Sequence, residues 1–182
     1  LNAKASPDAT LRDGACVSSI SMNGATPLVV ALSHGLRSNG MVKLLLDARA
    51  STDLAMQGEH AGCTSLHMAS FFGISPEAFN FLLDADPNVD ALCDAGLTPL
   101  HYTAAGGRLD LTKLLLGRRA TIDAGTLTGV PSLVYPIGVT PLALACMHGE
   151  LDTVSVLLRA RADVNRRGGL FDQFPLMLAA HQ

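Results

Sequence analysis

At 182 residues the chain has room for one or two ordinary domains, and a hydrophobic share of 48% argues against disorder. Only 16% of residues are charged, against roughly 25% in an average soluble protein, so the chain is expected to be covered over much of its surface or to be one segment of something longer. A net charge of −3 gives no global drive toward nucleic acid or an anionic membrane.

Taken in order, the chain alternates two kinds of string. It opens with Leu1-Asn2-Ala3-Lys4-Ala5-Ser6-Pro7-Asp8, which reads as the last turn of a helix and its exit. After a loop comes Gly24-Ala25-Thr26-Pro27-Leu28, with Thr26 as a helix N-cap and Pro27 at the first helical position, where its missing N–H costs nothing. A longer helix follows, ending in Leu44-Leu45-Leu46-Asp47-Ala48-Arg49-Ala50 and running out to Asp53. The pair then recurs. Gly62-Cys63-Thr64-Ser65-Leu66-His67 leads to Phe81-Leu82-Leu83 and Asp90, and Gly96-Leu97-Thr98-Pro99-Leu100-His101 leads to Leu114-Leu115-Leu116 and Asp123. Gly138-Val139-Thr140-Pro141-Leu142 leads to Val156-Leu157-Leu158 and Asn165, and Phe174-Pro175-Leu176 opens a further unit.

The helix starts fall at 26, 64, 98, 140 and 174, which are 38, 34, 42 and 34 residues apart. From the last Leu of each run to the closing Asp or Asn the offset is 7 every time, and Leu1 to Asp8 keeps it. Recurrence at this period is the mark of a solenoid. Each unit reads as a short helix, a tight turn containing Gly (Gly73, Gly107, Gly149), a longer helix buried along its leucine run, and a polar loop ending in Gly. The uncharged run Ala124 to Met147 is broken by Gly125, Gly129, Pro131, Pro136, Gly138 and Pro141, so it reads as a loop entering a helix and not as a transmembrane segment.

These strings resemble the ankyrin repeat family, whose signature is T-P-L-H-x-A followed by two helices. The match is closest over Thr98 to Asp123 and Thr140 to Asn165, and with its looser copies it covers almost the whole chain. The resemblance implies an all-α ankyrin-repeat solenoid of stacked helix-turn-helix units joined by hairpin-like loops. It forms a single array over 1–182: residues 1–9 end a preceding repeat, full repeats start near Thr26, Thr64, Thr98 and Thr140, and a partial repeat starts at Phe174. It also implies that His67 and His101 brace the loops by hydrogen bonds. Neither end reads as the polar cap a solenoid needs, so the chain is expected to be a piece of a longer one, or to have its ends covered.

The departures from the family pattern carry the functional expectations. Three loops are enlarged by roughly ten, three and nine residues, Thr10 to Asn23, Ala55 to Ala61 and Gly125 to Ile137. The first two read as drift. The third, carrying Leu127, Val130, Leu133, Val134, Tyr135 and Ile137, reads as a finger that buries its apolar surface against something. Where the family places a turn Gly after the longer helix, this chain has Lys4, Arg49, Asp86, Arg119 and Arg161. Cations suit a helix C-terminus, which explains four of the five; a basic ladder toward an acidic partner is the alternative. The positions that face the groove in the family hold Phe71, Phe72, Leu97, Ile137, Val139, Met147 and Phe171, with His34, His60, His148 and His181 among them. An apolar groove fits a partner's helix or extended segment, or packing under the chain's own loops.

The expected partner-binding residues are therefore Phe71, Phe72, Leu97, Ile137, Val139, Met147, His148 and Phe171, with Val134 and Tyr135 on the long finger. No phosphate-binding loop, nucleophile elbow or kinase-type set occurs, so no catalytic role and no cofactor are expected. Cys63 and Cys93 beside His60 and Asp94 read as structural thiols, with a zinc site as the lesser alternative, and no metal is expected. Cys16, Cys63, Cys93 and Cys146 show no C-x-x-C pairing, and no secretory segment opens the chain, which points to a reducing intracellular, cytoplasmic setting. The expected function is a non-catalytic scaffold for a protein partner through its groove and enlarged loops, with no nucleic acid. The alternatives are a regulatory or targeting domain of a larger enzyme or channel, and a structural subunit of a large assembly.

Overall fold

The computed structural model describes residues 6–10, 16–17, 20–21, 23–35, 39–126 and 138–166. Among them are eight α-helices: α1 (Pro27–Ser33), α2 (Asn39–Asp47), α3 (Ser65–Phe72), α4 (Pro76–Asp84), α5 (Pro99–Ala105), α6 (Leu109–Gly117), α7 (Pro141–Met147) and α8 (Leu151–Arg159). The first enlarged loop holds a short antiparallel ladder, β1 (Cys16–Val17) with β2 (Ile20–Ser21), and the second a single 3-10 turn at Gly58–His60. The chain divides into two compact units, residues 1–88 and 89–182. In the first, α1 packs on α3 and α2 on α4; in the second, α5 packs on α7 and α6 on α8.

The helix starts follow from their caps. Thr26 Oγ1 accepts the Val29 amide at 3.3 Å and Thr140 Oγ1 accepts the Ala143 amide at 3.2 Å. Where the third helical residue is His, the cap becomes reciprocal: the amides of Thr64 and Thr98 donate to Nδ1 of His67 and His101 at 3.1 and 3.0 Å. Small residues on the short helices allow close approach. Ala104 of α5 and Ala145 of α7 are fully buried in one cluster with Leu142, Cys146, Leu157 and Ala162.

The longer helices end in a shared motif. In α6 the amide of Arg119 donates to Leu116 O at 3.0 Å and that of Ala120 to Leu115 O at 3.1 Å, the two bonds of a Schellman cap. The same pair recurs at Arg49/Ala50 and Arg161/Ala162. The motif requires left-handed backbone, and Arg49, Asp86, Arg119 and Arg161 have φ of 62°, 56°, 63° and 70°. A side chain there costs roughly 1–2 kcal/mol, which glycine removes, while glycine's extra freedom in the unfolded chain takes part of that back. Arg161→Gly is therefore expected to stabilise the second unit by about 0.5–1 kcal/mol in urea unfolding.

Within each compact unit, the closing Asp of one repeat ties it to the loop that ends the next. Asp8 Oδ1 accepts the Ser51 amide at 2.8 Å and Asp53 Oδ1 the Asn88 amide at 3.2 Å. In the second unit Asp90 accepts from Thr121 at 2.8 Å and Asp123 from Asp163 at 3.0 Å. Residue 8 thus stands where Asp53, Asp90 and Asp123 stand, as the constant offset of seven predicts. Two equivalently buried hydroxyls, Thr112 Oγ1 on α6 and Thr153 Oγ1 on α8, have no hydrogen-bond partner. Thr153→Val removes the unpaired polar atom at constant shape, and a gain of about 1 kcal/mol in thermal unfolding is expected.

Candidate functional site

Among the described residues, the loops that enter α3, α5 and α7 share one neck. In the shortest, the amide of Cys93 donates to Leu97 O at 3.0 Å and that of Gly96 to Cys93 O at 2.8 Å. In the second enlarged loop Met56 donates to Cys63 O at 2.8 Å and Gly62 to Met56 O at 3.0 Å. In the longest, Thr126 donates to Val139 O at 3.1 Å and Gly138 to Thr126 O at 2.8 Å. The neck residues are buried, and Gly62, Gly96 and Gly138 all have φ between 71° and 77°, left-handed backbone that glycine adopts without strain. The neck partners lie 7, 4 and 13 residues apart in sequence, and the same two bonds persist at each. Enlargement leaves the neck bonds in place.

The long neck is reinforced. Val139 donates to Thr126 Oγ1 at 3.0 Å, and Val139 O accepts His101 Nε2 at 3.0 Å as well as the Thr126 amide. Because the Thr98 amide donates to Nδ1, the proton of this neutral imidazole sits on Nε2, which donates to the carbonyl. His101, fully buried, thereby links the cap of α5 to the base of the 127–137 insertion. Gly125 completes the base: a Cβ there would stand 3.2 Å from the Gly138 Cα.

The expected contact residues separate by burial. Phe71, at the end of α3, is 45% exposed, and Phe72 beside it is half-buried. Their rings meet edge-on with centroids 5.5 Å apart, and the His60 ring, from the tip of the second enlarged loop, lies 6.1 Å from Phe71. The structure thus brings together an inner-helix end and a loop tip in one small aromatic patch. At the end of α7, Met147 is half-buried and His148 exposed. Leu97 and Val139 are buried neck residues whose carbonyls accept the Cys93 and Thr126 amides. Val134, Tyr135, Ile137 and Phe171 lie outside the described residues.

The His101–Val139 bond is the loop brace that the ankyrin resemblance implied, whereas Thr126 was not singled out by sequence reasoning, although a signal for it exists. Met56, Cys93 and Thr126 each lie three residues after the closing Asp of their unit, at 53, 90 and 123. Among the described residues no group of three or more His, Cys, Asp or Glu is placed to hold a metal ion, and no helix is long and apolar enough to cross a membrane. Cys63, Cys93 and Cys146 are buried thiols outside any disulfide among the described residues, and burial pushes the Cys146 thiol above its ordinary pKa, away from nucleophilic use.

A family model described as ankyrin repeats (3 copies) matches residues 66–168. The chain belongs to the ankyrin-repeat family. Ankyrin repeats are generally non-catalytic modules for protein–protein interaction. The chain is 34% identical over 85 residues, 47% of its length, to the nuclear factor NF-kappa-B p105 subunit of Mus musculus. It is 29% identical over 122 residues, 66% of its length, to the B-cell lymphoma 3 protein homolog of Mus musculus. It is 28% identical over 92 residues, 50% of its length, to delta-latroinsectotoxin-Lt1a of Latrodectus tredecimguttatus. The matched stretches span 9%, 27% and 8% of those proteins. The ankyrin scaffold of this chain accounts for its caps, its Asp ties and its loop necks. The enlarged tips and the exposed aromatic patch are what this chain adds to that scaffold.

Proposed function

We propose that this ankyrin-repeat chain is an intracellular, non-catalytic scaffold that captures a protein partner on its enlarged loop tips and on the exposed ends of its short helices. We read residues 1–182 as one array, on the even recurrence of the cap string. The observation that carries the proposal is the constancy of the neck under a loop that grows from 4 to 13 residues between partners. A rigid base lets a projecting segment bind with less ordering cost than a free loop would incur. Phe71, Phe72, Met147 and His148 are the described contact residues of this reading, with Val134, Tyr135 and Ile137 on the insertion and Phe171 beyond. Leu97 and Val139 serve it by holding the tips in place.

The test is to replace residues 127–137 by the two-residue Asp-Ala tip of the shortest loop, keeping Thr126 and Gly138. Chain-entropy differences between loops of these lengths are small, so folding stability is expected to change by less than about 1 kcal/mol. Crosslinking capture of the main partner from cell extract is expected to be lost. Unchanged capture by a stably folded shortened protein would overturn the assignment to the long tip, and Phe71→Ser would then test the aromatic patch.

A further inference from the structure

The ends of the longer helices carry charge that neither the fold nor the proposed loop contacts use. In the second unit Arg118 and Arg119 close α6, and Arg159 and Arg161 close α8; all four are exposed. Counted back from the left-handed residue, the same three positions of the first unit carry Asp47 and Arg49 at α2, and Asp84 and Asp86 at α4. The charges on this edge are thus all basic in one unit and mostly acidic in the other. The helix dipole does not account for the difference, because it disfavours the anions that end α4 as much as it favours cations. Nor does it call for a cation on left-handed backbone, since Arg118 and Arg159 reach the same helix ends without strain. Arg119 and Arg161 nevertheless hold that backbone, at φ 63° and 70°, where glycine is the more stable choice. Arg49 and Asp86 do the same in the first unit, but with opposite charges that cancel. Local rules broken repeatedly in favour of one charge gather where function requires them.

The two arginine pairs stand side by side. α6 packs on α8, and just beyond the left-handed residues the Asp163 amide donates to Asp123 Oδ1 at 3.0 Å. Packed helices lie about 8–10 Å apart, which sets the spacing between the two pairs. The acids of the adjoining loops are already engaged: Asp90 accepts from Thr121, Asp123 from Asp163, and Asp163 from Asn165. Among the described residues Arg119, Arg159 and Arg161 form no ion pair.

We propose that the arginine edge of α6 and α8 is a docking site for an acidic, extended segment of a protein partner. A polyproline-type chain has three residues per turn and rises about 3.1 Å per residue, so every third side chain returns to one face after about 9 Å. Carboxylates at that spacing meet one arginine pair each, and a guanidinium takes a carboxylate through two parallel bonds. Nucleic acid suits this chain less: residues 1–88 carry eight acids against five bases, which repels a long polyanion, whereas a short acidic segment needs only the edge. The inference does not rest on the loop-tip reading.

The test measures, by fluorescence anisotropy at about 50 mM salt, binding of a labelled peptide with Glu at every third residue and Pro between. Saturable binding is expected, weakened at least about fivefold at about 300 mM salt and absent for the same peptide with Gln in place of Glu. Arg119→Gly combined with Arg161→Gly relieves strain, so this double variant is expected to melt no lower than the parent while losing affinity at least about fivefold. A loss of binding without a loss of stability is not unfolding. Arg49→Gly relieves the same strain in the first unit and is expected to leave affinity within about twofold. Arg159→Glu, on unstrained backbone, is expected to weaken binding at least as much as the double variant. No binding of the Glu peptide by the parent, undiminished binding by the double variant, equal loss in Arg49→Gly, or equal binding of the Gln peptide would each overturn the proposal. So would tighter binding of single-stranded DNA, which would give the edge to nucleic acid. Salt-sensitive self-association abolished by Arg159→Glu would overturn it too, by giving the edge to a second copy.

Discussion

Leu115→Ala is expected to destabilise the second unit by about 2–5 kcal/mol, measured as a shift of its urea transition. Leu115 is fully buried at the end of α6, and its carbonyl accepts the Ala120 amide that closes the helix. Truncation removes several buried carbons and leaves a void that two packed helices cannot close, because α6 is held by its cap at one end and by α8 along its side. Leu114, half-buried on the next position, is the internal control: Leu114→Ala is expected to cost about half as much or less. A loss under about 1 kcal/mol for Leu115→Ala would contradict its place in the interior.

His101→Ala is expected to cost about 2–4 kcal/mol and to loosen the base of the long insertion. The substitution leaves the buried Thr98 amide without its acceptor, at about 1–3 kcal/mol for an unpaired buried group, takes from the Val139 carbonyl one of its two donors, and opens a cavity besides. The two roles can be separated. His101→Gln keeps an acceptor at the third helical position and so restores the reciprocal cap with Thr98, but it supplies no ring to reach Val139. Stability is expected to recover by about half in the Gln variant, while amide exchange at Thr126 stays as fast as in the Ala variant. Slow exchange at Thr126 in both variants would show that the imidazole does not hold the neck.

The positions legible beforehand are those governed by local bonds. The left-handed turn after each longer helix was marked by its offset, and Arg49, Asp86, Arg119 and Arg161 all adopt it because the cap bonds span only three and five residues. The sites and sizes of the loop enlargements were legible for the same reason: the distance from the closing Asp to the next cap measures them. The aromatic patch was half legible. Phe71, Phe72 and His60 were named as groove positions, but nothing in the spacing said that a loop tip would bring His60 to within 6.1 Å of Phe71. Leu97 and Val139, expected at the groove, are buried in the necks. Being apolar beside a cap is compatible with facing a partner or with closing a hairpin, and composition alone does not choose.

The sequence by itself determined the ankyrin repeat, the helix starts and stops, and the register in which Asp8 answers to Asp53, Asp90 and Asp123, because each rests on residues within one turn or on strict periodicity. The tertiary structure alone decided which apolar residues are covered and which carbonyl His101 braces. Those outcomes depend on partners about a repeat apart in the chain, such as His101 with Val139 or Asp8 with Ser51, and on which helix face has a neighbour. Burial is a property of what packs alongside, and no local pattern encodes it.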